Sequence, residues 1–142
     1  MQSMAQLLST KGSRVWSISP DATVYEGLEL MAEKNIGALL ILDGVRPVGI
    51  MSERDYARKI ILEGRSSHET QIRSIMTTRL VSVRLDDTIE EGMAIMTRER
   101  IRHLPVLDGE AVVGMVSIGD LVKAMIDRQQ FTIEQLERYI AT

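Results

Sequence analysis

Two short stretches hold the residues whose types and spacing best suit chemistry. Gly49 to Asp55 reads GIMSERD and Gly114 to Asp120 reads GMVSIGD, so a hydroxyl stands three residues before a carboxylate in both. Gly49 matches Gly114, Ser52 matches Ser117 and Asp55 matches Asp120, each 65 positions on. A helix opening at Ser52 or Ser117 offers unpaired N–H groups and the positive end of its dipole, which suit an anion. The same Ser-x-x-Asp is close to a capping box, which stabilises a helix start by about 0.5–2 kcal/mol. Cap and ligand contact are both open at this point, and one side chain can serve both. Around the motifs the copies differ: Arg54 stands where the second copy has Gly119, and Arg102, His103 and Pro105 stand where the first has Gly37, Ala38 and Leu40. Arg54 can grip phosphate as a bidentate fork, and Arg102 with His103 can reach one from the strand side. The plainer alternatives are solvated arginines and a histidine bonded to backbone. Asp86-Asp87 and Glu90-Glu91 are not general acid-base couples, because they fall in the first turn of a helix, where the dipole favours acids.

Other chemistries are poorly supplied. The chain has no cysteine, which removes disulfides, thiolate catalysis and cysteine zinc sites, and only His68 and His103 as imidazoles. No metal is expected. Seventeen basic residues against 20 acidic ones, without a basic block, give no footprint for nucleic acid. Phosphate-loop, dinucleotide, zinc-protease and nucleophile-elbow motifs are absent, so an enzyme is not expected. The longest apolar run, ALLIL at Ala38 to Leu42, is far below the roughly 20 residues of a membrane span. The first residues, MQSMAQLLST, lack a basic segment and a long apolar core, which predicts a cytoplasmic protein.

The motifs are positioned by a duplication. Residues 17–61 lie over 82–126 without a gap, and 16 of these 45 positions are identical. Each copy reads as β-α-β-β-α. VWSIS is a short strand, and Asp21 or Thr23 caps a helix with Val24, Leu28, Met31 and Ala32 on one face. IGALLIL and PVGIM, joined at Asp43-Gly44, form a hairpin, as do IRHLPVL and AVVGMV around Asp108-Gly109. The methionine stripes, such as Met93 with Met96, are core packing. This is an α/β fold class, with two copies expected to pack sheet to sheet about a pseudo-twofold axis. The expected divisions are 5–61 for the first repeat, 62–71 for a polar linker, 72–128 for the second repeat and 129–142 for an extra amphipathic helix. IRSIMT and AQLLST are expected as lead-in helices to their own repeats. Phe131, Ile133, Leu136, Tyr139 and Ile140 make an apolar stripe on the final helix that needs a partner surface.

With both repeats described, residues 5–126 resemble a tandem pair of cystathionine-β-synthase (CBS) domains, the arrangement called a Bateman module. The resemblance rests on the repeated element order, IMT before the second strand, IRHLPV, the Asp-Gly hairpins and the Gly-x-x-Ser-x-x-Asp endings. SERDYARK and SIGDLVK are closest to small stand-alone bacterial proteins of that kind. The resemblance implies a regulatory module that binds an adenosine-containing ligand, such as AMP, ADP, ATP, S-adenosylmethionine or NAD(H), in clefts between repeats. Occupancy would be transmitted to a downstream protein as a change of conformation or association, and many such modules are homodimers. Carried over residue by residue, Asp55 and Asp120 would accept hydrogen bonds from ribose hydroxyls, and Ser52 and Ser117 would contact phosphate. Ile36, Ala38, Leu104 and Pro105 would be apolar walls for the adenine. The alternative function is a structural or dimerisation adaptor without a ligand.

Overall fold

Thr23 and Thr88 end extended stretches and start helices, because a threonine in extended backbone can turn its hydroxyl onto an amide of the turn ahead. Thr23 accepts from the Glu26 amide and Thr88 from the Glu91 amide, both at 3.1 Å, and Glu26 reaches back to complete a capping box. The computed structural model describes residues 2–141. Its elements are α1 (Met4–Lys11), β1 (Ser17–Ile18), α2 (Val24–Lys34), β2 (Ala38–Asp43), β3 (Arg46–Ser52) and α3 (Glu53–Tyr56), which runs into a π-helical turn, Ala57–Ile61. A 3-10 turn at Ile72–Ser74 follows, then β4 (Val83–Arg84), α4 (Ile89–Glu99), β5 (His103–Asp108), β6 (Ala111–Ser117) and α5 (Ile118–Ala141). The fold is α/β, with two copies of β-α-β-β-α. Each copy has a three-stranded sheet, in order β1-β2-β3 or β4-β5-β6, the first pair parallel and the second antiparallel.

The duplication extends to backbone detail. Asn35 (φ 54°) and Arg100 (φ 57°) end α2 and α4 in the left-handed conformation. Both hairpins also shift register at equivalent places, Ile41/Leu42 and Val106/Leu107. The turns sit one residue later than Asp-Gly suggests. Asp43 still pairs with Arg46 and Asp108 with Ala111, so the two-residue loops begin at Gly44 (φ 65°) and Gly109 (φ 63°), a conformation glycine adopts without strain.

The chain forms two compact units, 15–81 and 1–14 with 82–142. The first is built on Leu39 and Ile41 of β2, Met51 of β3, Val24 and Met31 of α2, and Ile60. Ile72 and Ile75 complete that core, and Thr77 and Ile50 exchange backbone hydrogen bonds of 2.9 and 3.0 Å along the edge of β3. The IRSIMT segment therefore packs on the repeat before it and is a 3-10 turn rather than a lead-in helix to the repeat after it. The N-terminal segment does the converse. Met4, Leu7 and Leu8 of α1 are buried in the unit of β4–β6, where the Met4 amide donates to Asp87 O (2.8 Å) and the Ala5 amide to Leu85 O (2.9 Å). The motif glycines explain the fit. A Cβ on Gly49 would lie 2.9 Å from Thr77 O, and one on Gly114 would lie 2.7 Å from a Leu8 methyl, so each glycine makes room for a lead-in segment.

The closing helices differ. Beyond Asp55 the first copy turns π-helical and stops, while α5 is a single helix of 24 residues.

Candidate functional site

In the unit of residues 15–81, β3 ends at Ser52, whose extended backbone (φ −119°, ψ 166°) hands the chain to α3. Ser52 Oγ accepts from the Asp55 amide (3.2 Å), and Asp55 Oδ2 accepts from the Ser52 amide (2.9 Å) and Ser52 Oγ (3.1 Å). The first α3 amide, of Glu53, donates to Gly37 O at 3.1 Å. The capping box expected as one of two alternatives is thus formed. The other carboxylate oxygen is taken as well: Asp55 Oδ1 accepts from Thr77 Oγ1 (3.2 Å) and is paired with Lys59 Nζ (3.0 Å). Lys59 also donates to Ile75 O at 2.7 Å, fastening the 72–77 segment to the motif. Four donors fill the roughly four lone-pair positions of a carboxylate, and Asp55 is buried, at 7% exposure.

The second motif has the same cap and a different surrounding. Ser117 Oγ accepts from the Asp120 amide (3.1 Å), Asp120 Oδ2 accepts from the Ser117 amide (2.8 Å), and the Ile118 amide donates to Arg102 O (2.9 Å). Here α1 supplies the cation. Lys11 Nζ stands 2.7 Å from the same Oδ2 and also donates to Met115 O. Among the described residues no hydrogen bond reaches Asp120 Oδ1, and the side chain is 26% exposed, against 10% for Asp55. Burial pushes the Asp120 carboxyl up, but hydrogen bonds from Lys11 and Ser117, with the Lys11 charge, outweigh it and hold the pKa below its ordinary 3.8.

A depressed carboxyl pKa has a definite sign. It contributes stability above the unfolded-state value, near 3.9 for aspartate, and loses it as pH falls through the folded-state value. The stability difference between the natural chain and Asp120→Asn should therefore shrink between about pH 5 and pH 2. Urea titrations of both proteins at several pH values check this, and a difference that grows with acidity contradicts the Lys11–Asp120 tie.

The other expected residues fall into place as follows. Ala38 pairs with Ser52 and His103 with Ser117 across the ladders, so the strand starts and the motifs meet within each unit. Arg54 is exposed on α3, and Arg102 is exposed just before β5. Ile36 is half-buried against the first core, while Ala38 and Pro105 are buried. Leu104, expected as an apolar wall, is fully buried, its Cδ1 4.0 Å from where a Cβ on Gly92 would sit, so it packs in the core. Sequence reasoning missed Thr77, Lys59 and Lys11. Lys59 carried a local signal, the i,i+4 spacing from Asp55. Lys11 carried none, since it lies 104 positions from Met115, the carbonyl it meets. Among the described residues no cluster of three or more His, Cys, Asp or Glu is placed to hold a metal. No described helix is long and apolar enough to cross a membrane.

Comparison with known proteins adds to this geometry. The CBS domain family matches residues 9–62 and again 72–127. A mitochondrial CBS domain-containing protein of Arabidopsis thaliana, CBSX3, is 40% identical over 140 residues, covering 93% of this chain, which spans 66% of that relative's length. A solved structure of a Burkholderia ambifaria protein with CBS domains, assigned to signal transduction, is 47% identical with a TM-score of 0.87, covering 93% of this chain and 99% of that one. The CBS domain pair of protein MJ0100, 21% identical with a TM-score of 0.79 over 90% of this chain and 98% of its own, has been solved with 5′-methylthioadenosine and S-adenosylmethionine.

Proposed function

Because the chain belongs to the CBS-domain family, as a tandem pair of such domains, we propose that it is a regulatory module that senses an adenosine-containing ligand at the Ser117–Asp120 motif. The observation that carries this reading is the open Asp120 Oδ1 beside an anchored Oδ2 and the Lys11 ammonium. A ribose diol offers two O–H donors to such a carboxylate, and a charge-assisted O–H···O⁻ bond is about twice as strong as a neutral one. Lys11 stands where it can turn to a phosphate, with Arg102 and His103 of the adjoining strand start as further donors. The family's general role in regulation and the adenosine compounds held by MJ0100 support the choice of ligand class. Its members to be weighed are AMP, ADP, ATP, NAD(H) and S-adenosylmethionine. Asp55, with both oxygens filled, is proposed as the structural counterpart, so one ligand per chain is expected. Occupancy would be read out as a change in the α1 tie or in association between copies, in the cytoplasm and without chemical turnover.

The deciding experiment is a thermal and calorimetric panel of those five ligands. A ligand at ten times its dissociation constant stabilises the folded state by about 1.4 kcal/mol, a shift of several degrees for a chain of this size. Stoichiometry should be one per chain. An unmoved transition with every ligand at millimolar concentration refutes the ligand reading and leaves the adaptor function.

A further inference from the structure

Past Ile126, every described residue of α5 is exposed, about four turns of helix without cover in the single chain. An uncovered helix of that length is marginal in water, since most helical stability comes from packing an apolar face. The apolar positions are not scattered. Val122, Ile126, Gln129, Ile133, Leu136 and Ile140 recur at steps of 4, 3, 4, 3 and 4, the spacing of a coiled-coil seam. All five apolar members are exposed, from 40% at Val122 to 82% at Ile140. Phe131 lies outside the seam.

We propose that α5 pairs antiparallel with α5 of a second copy of this chain, forming a two-helix coiled coil about a twofold axis near residue 131. The commitment to a second copy rests on self-complementarity. With the helices antiparallel in this register, Val122 layers with Ile140 of the other copy and Ile126 with Leu136. Gln129 meets Ile133 in the two central layers. At the flanking positions Lys123 faces Glu137 and Gln130 faces Gln130, so opposite charges meet at both ends of the pair. A parallel pair stacks identical layers and separates Lys123 from Glu137. Lys123 sits 3.0 Å from Asp127 of its own helix and is 76% exposed, which leaves its ammonium able to serve both carboxylates. A twofold contact of this kind closes on itself and gives a dimer rather than a fibre.

Sedimentation equilibrium of the full chain, read with charge reversals, tests the arrangement. The natural chain should sediment at twice 15.9 kDa at tens of micromolar. Ile133→Lys combined with Leu136→Lys should sediment as a monomer while its circular dichroism still shows a cooperative melt, because neither side chain packs in the core. Lys123→Glu and Glu137→Lys should each weaken the dimer by about 3- to 30-fold, two ion pairs being lost per dimer. The double reversal, Lys123→Glu with Glu137→Lys, should restore it. A monomeric natural chain, a dimer that survives the paired lysines, or a double reversal no better than the single ones overturns the proposal.

Discussion

Asp120→Ala is expected to weaken ligand binding by about 10- to 150-fold, the equivalent of 1.5–3 kcal/mol of charged hydrogen bonding, while the unliganded protein loses the cap and the Lys11 tie, about 0.5–1 kcal/mol. Asp55→Ala should behave in the opposite way. Removing a carboxylate that satisfies the Ser52 amide, the Thr77 hydroxyl and Lys59 should lower stability by about 1–3 kcal/mol, with affinity nearly unchanged. The difference follows from their surroundings. Asp120 keeps one oxygen open and is 26% exposed, whereas Asp55, at 10%, is enclosed and fully bonded. Urea denaturation with calorimetric titration of both variants separates the two effects. Equal losses of affinity in both would show that the two motifs bind alike, and unchanged affinity in both would reduce them to helix caps.

Gly49→Ala should be the most damaging of the small glycine substitutions, at about 2–3 kcal/mol. The new methyl would come within 2.9 Å of Thr77 O, a backbone carbonyl fixed by its own hydrogen bonds to Ile50, so strain cannot be relieved by a rotamer change. Gly114→Ala meets only the end of the Leu8 side chain and should cost less. Gly27→Ala meets the terminal methyl of the buried Met51, the far end of a flexible side chain, and Ile72 Cδ1 at 3.2 Å, but gains helix propensity of about 1 kcal/mol, which makes it the mildest of the three. The order Gly49, Gly114, Gly27 in falling cost, measured by chemical denaturation, is the check. A benign Gly49→Ala would mean that the 72–77 segment does not press on β3 as described.

Local patterns made most of the fold legible from sequence. The threonine caps, the Asp-Gly hairpins and the 65-residue offset depend on neighbours a few positions apart or on direct comparison of two stretches. The turns moved by one residue because the strand ladder extends through Asp43 and Asp108, and pairing overrides the dipeptide preference. The site was legible as far as Ser52, Asp55, Ser117 and Asp120, whose three-residue spacing is itself the cap. Its partners from distant segments were not. Lys11 and Thr77 reach the motifs from segments whose packing is set by buried apolar side chains, Leu8 in one unit and Ile72 with Ile75 in the other. A one-dimensional pattern does not say which sheet a short amphipathic segment covers, and proximity in sequence did not show that each segment packs with the other unit. Leu104 illustrates a related point: it is fully buried, and strand alternation alone does not distinguish a face that meets ligand from one that meets helix.

The exchange of lead-in segments has a consequence during synthesis. Residues 15–81 make a complete unit, so that half can close as soon as Val81 clears the ribosome. Helix α1 is different, because Met4, Leu7 and Leu8 have their partners in a stretch translated after that half. Lys11 precedes Met115 by 104 residues, an interval of roughly 5–20 s at about 5–20 residues per second. For that time α1 carries an unburied apolar face, exposed to chaperones. A segment translated ahead of both repeats is thus among the last to find its place.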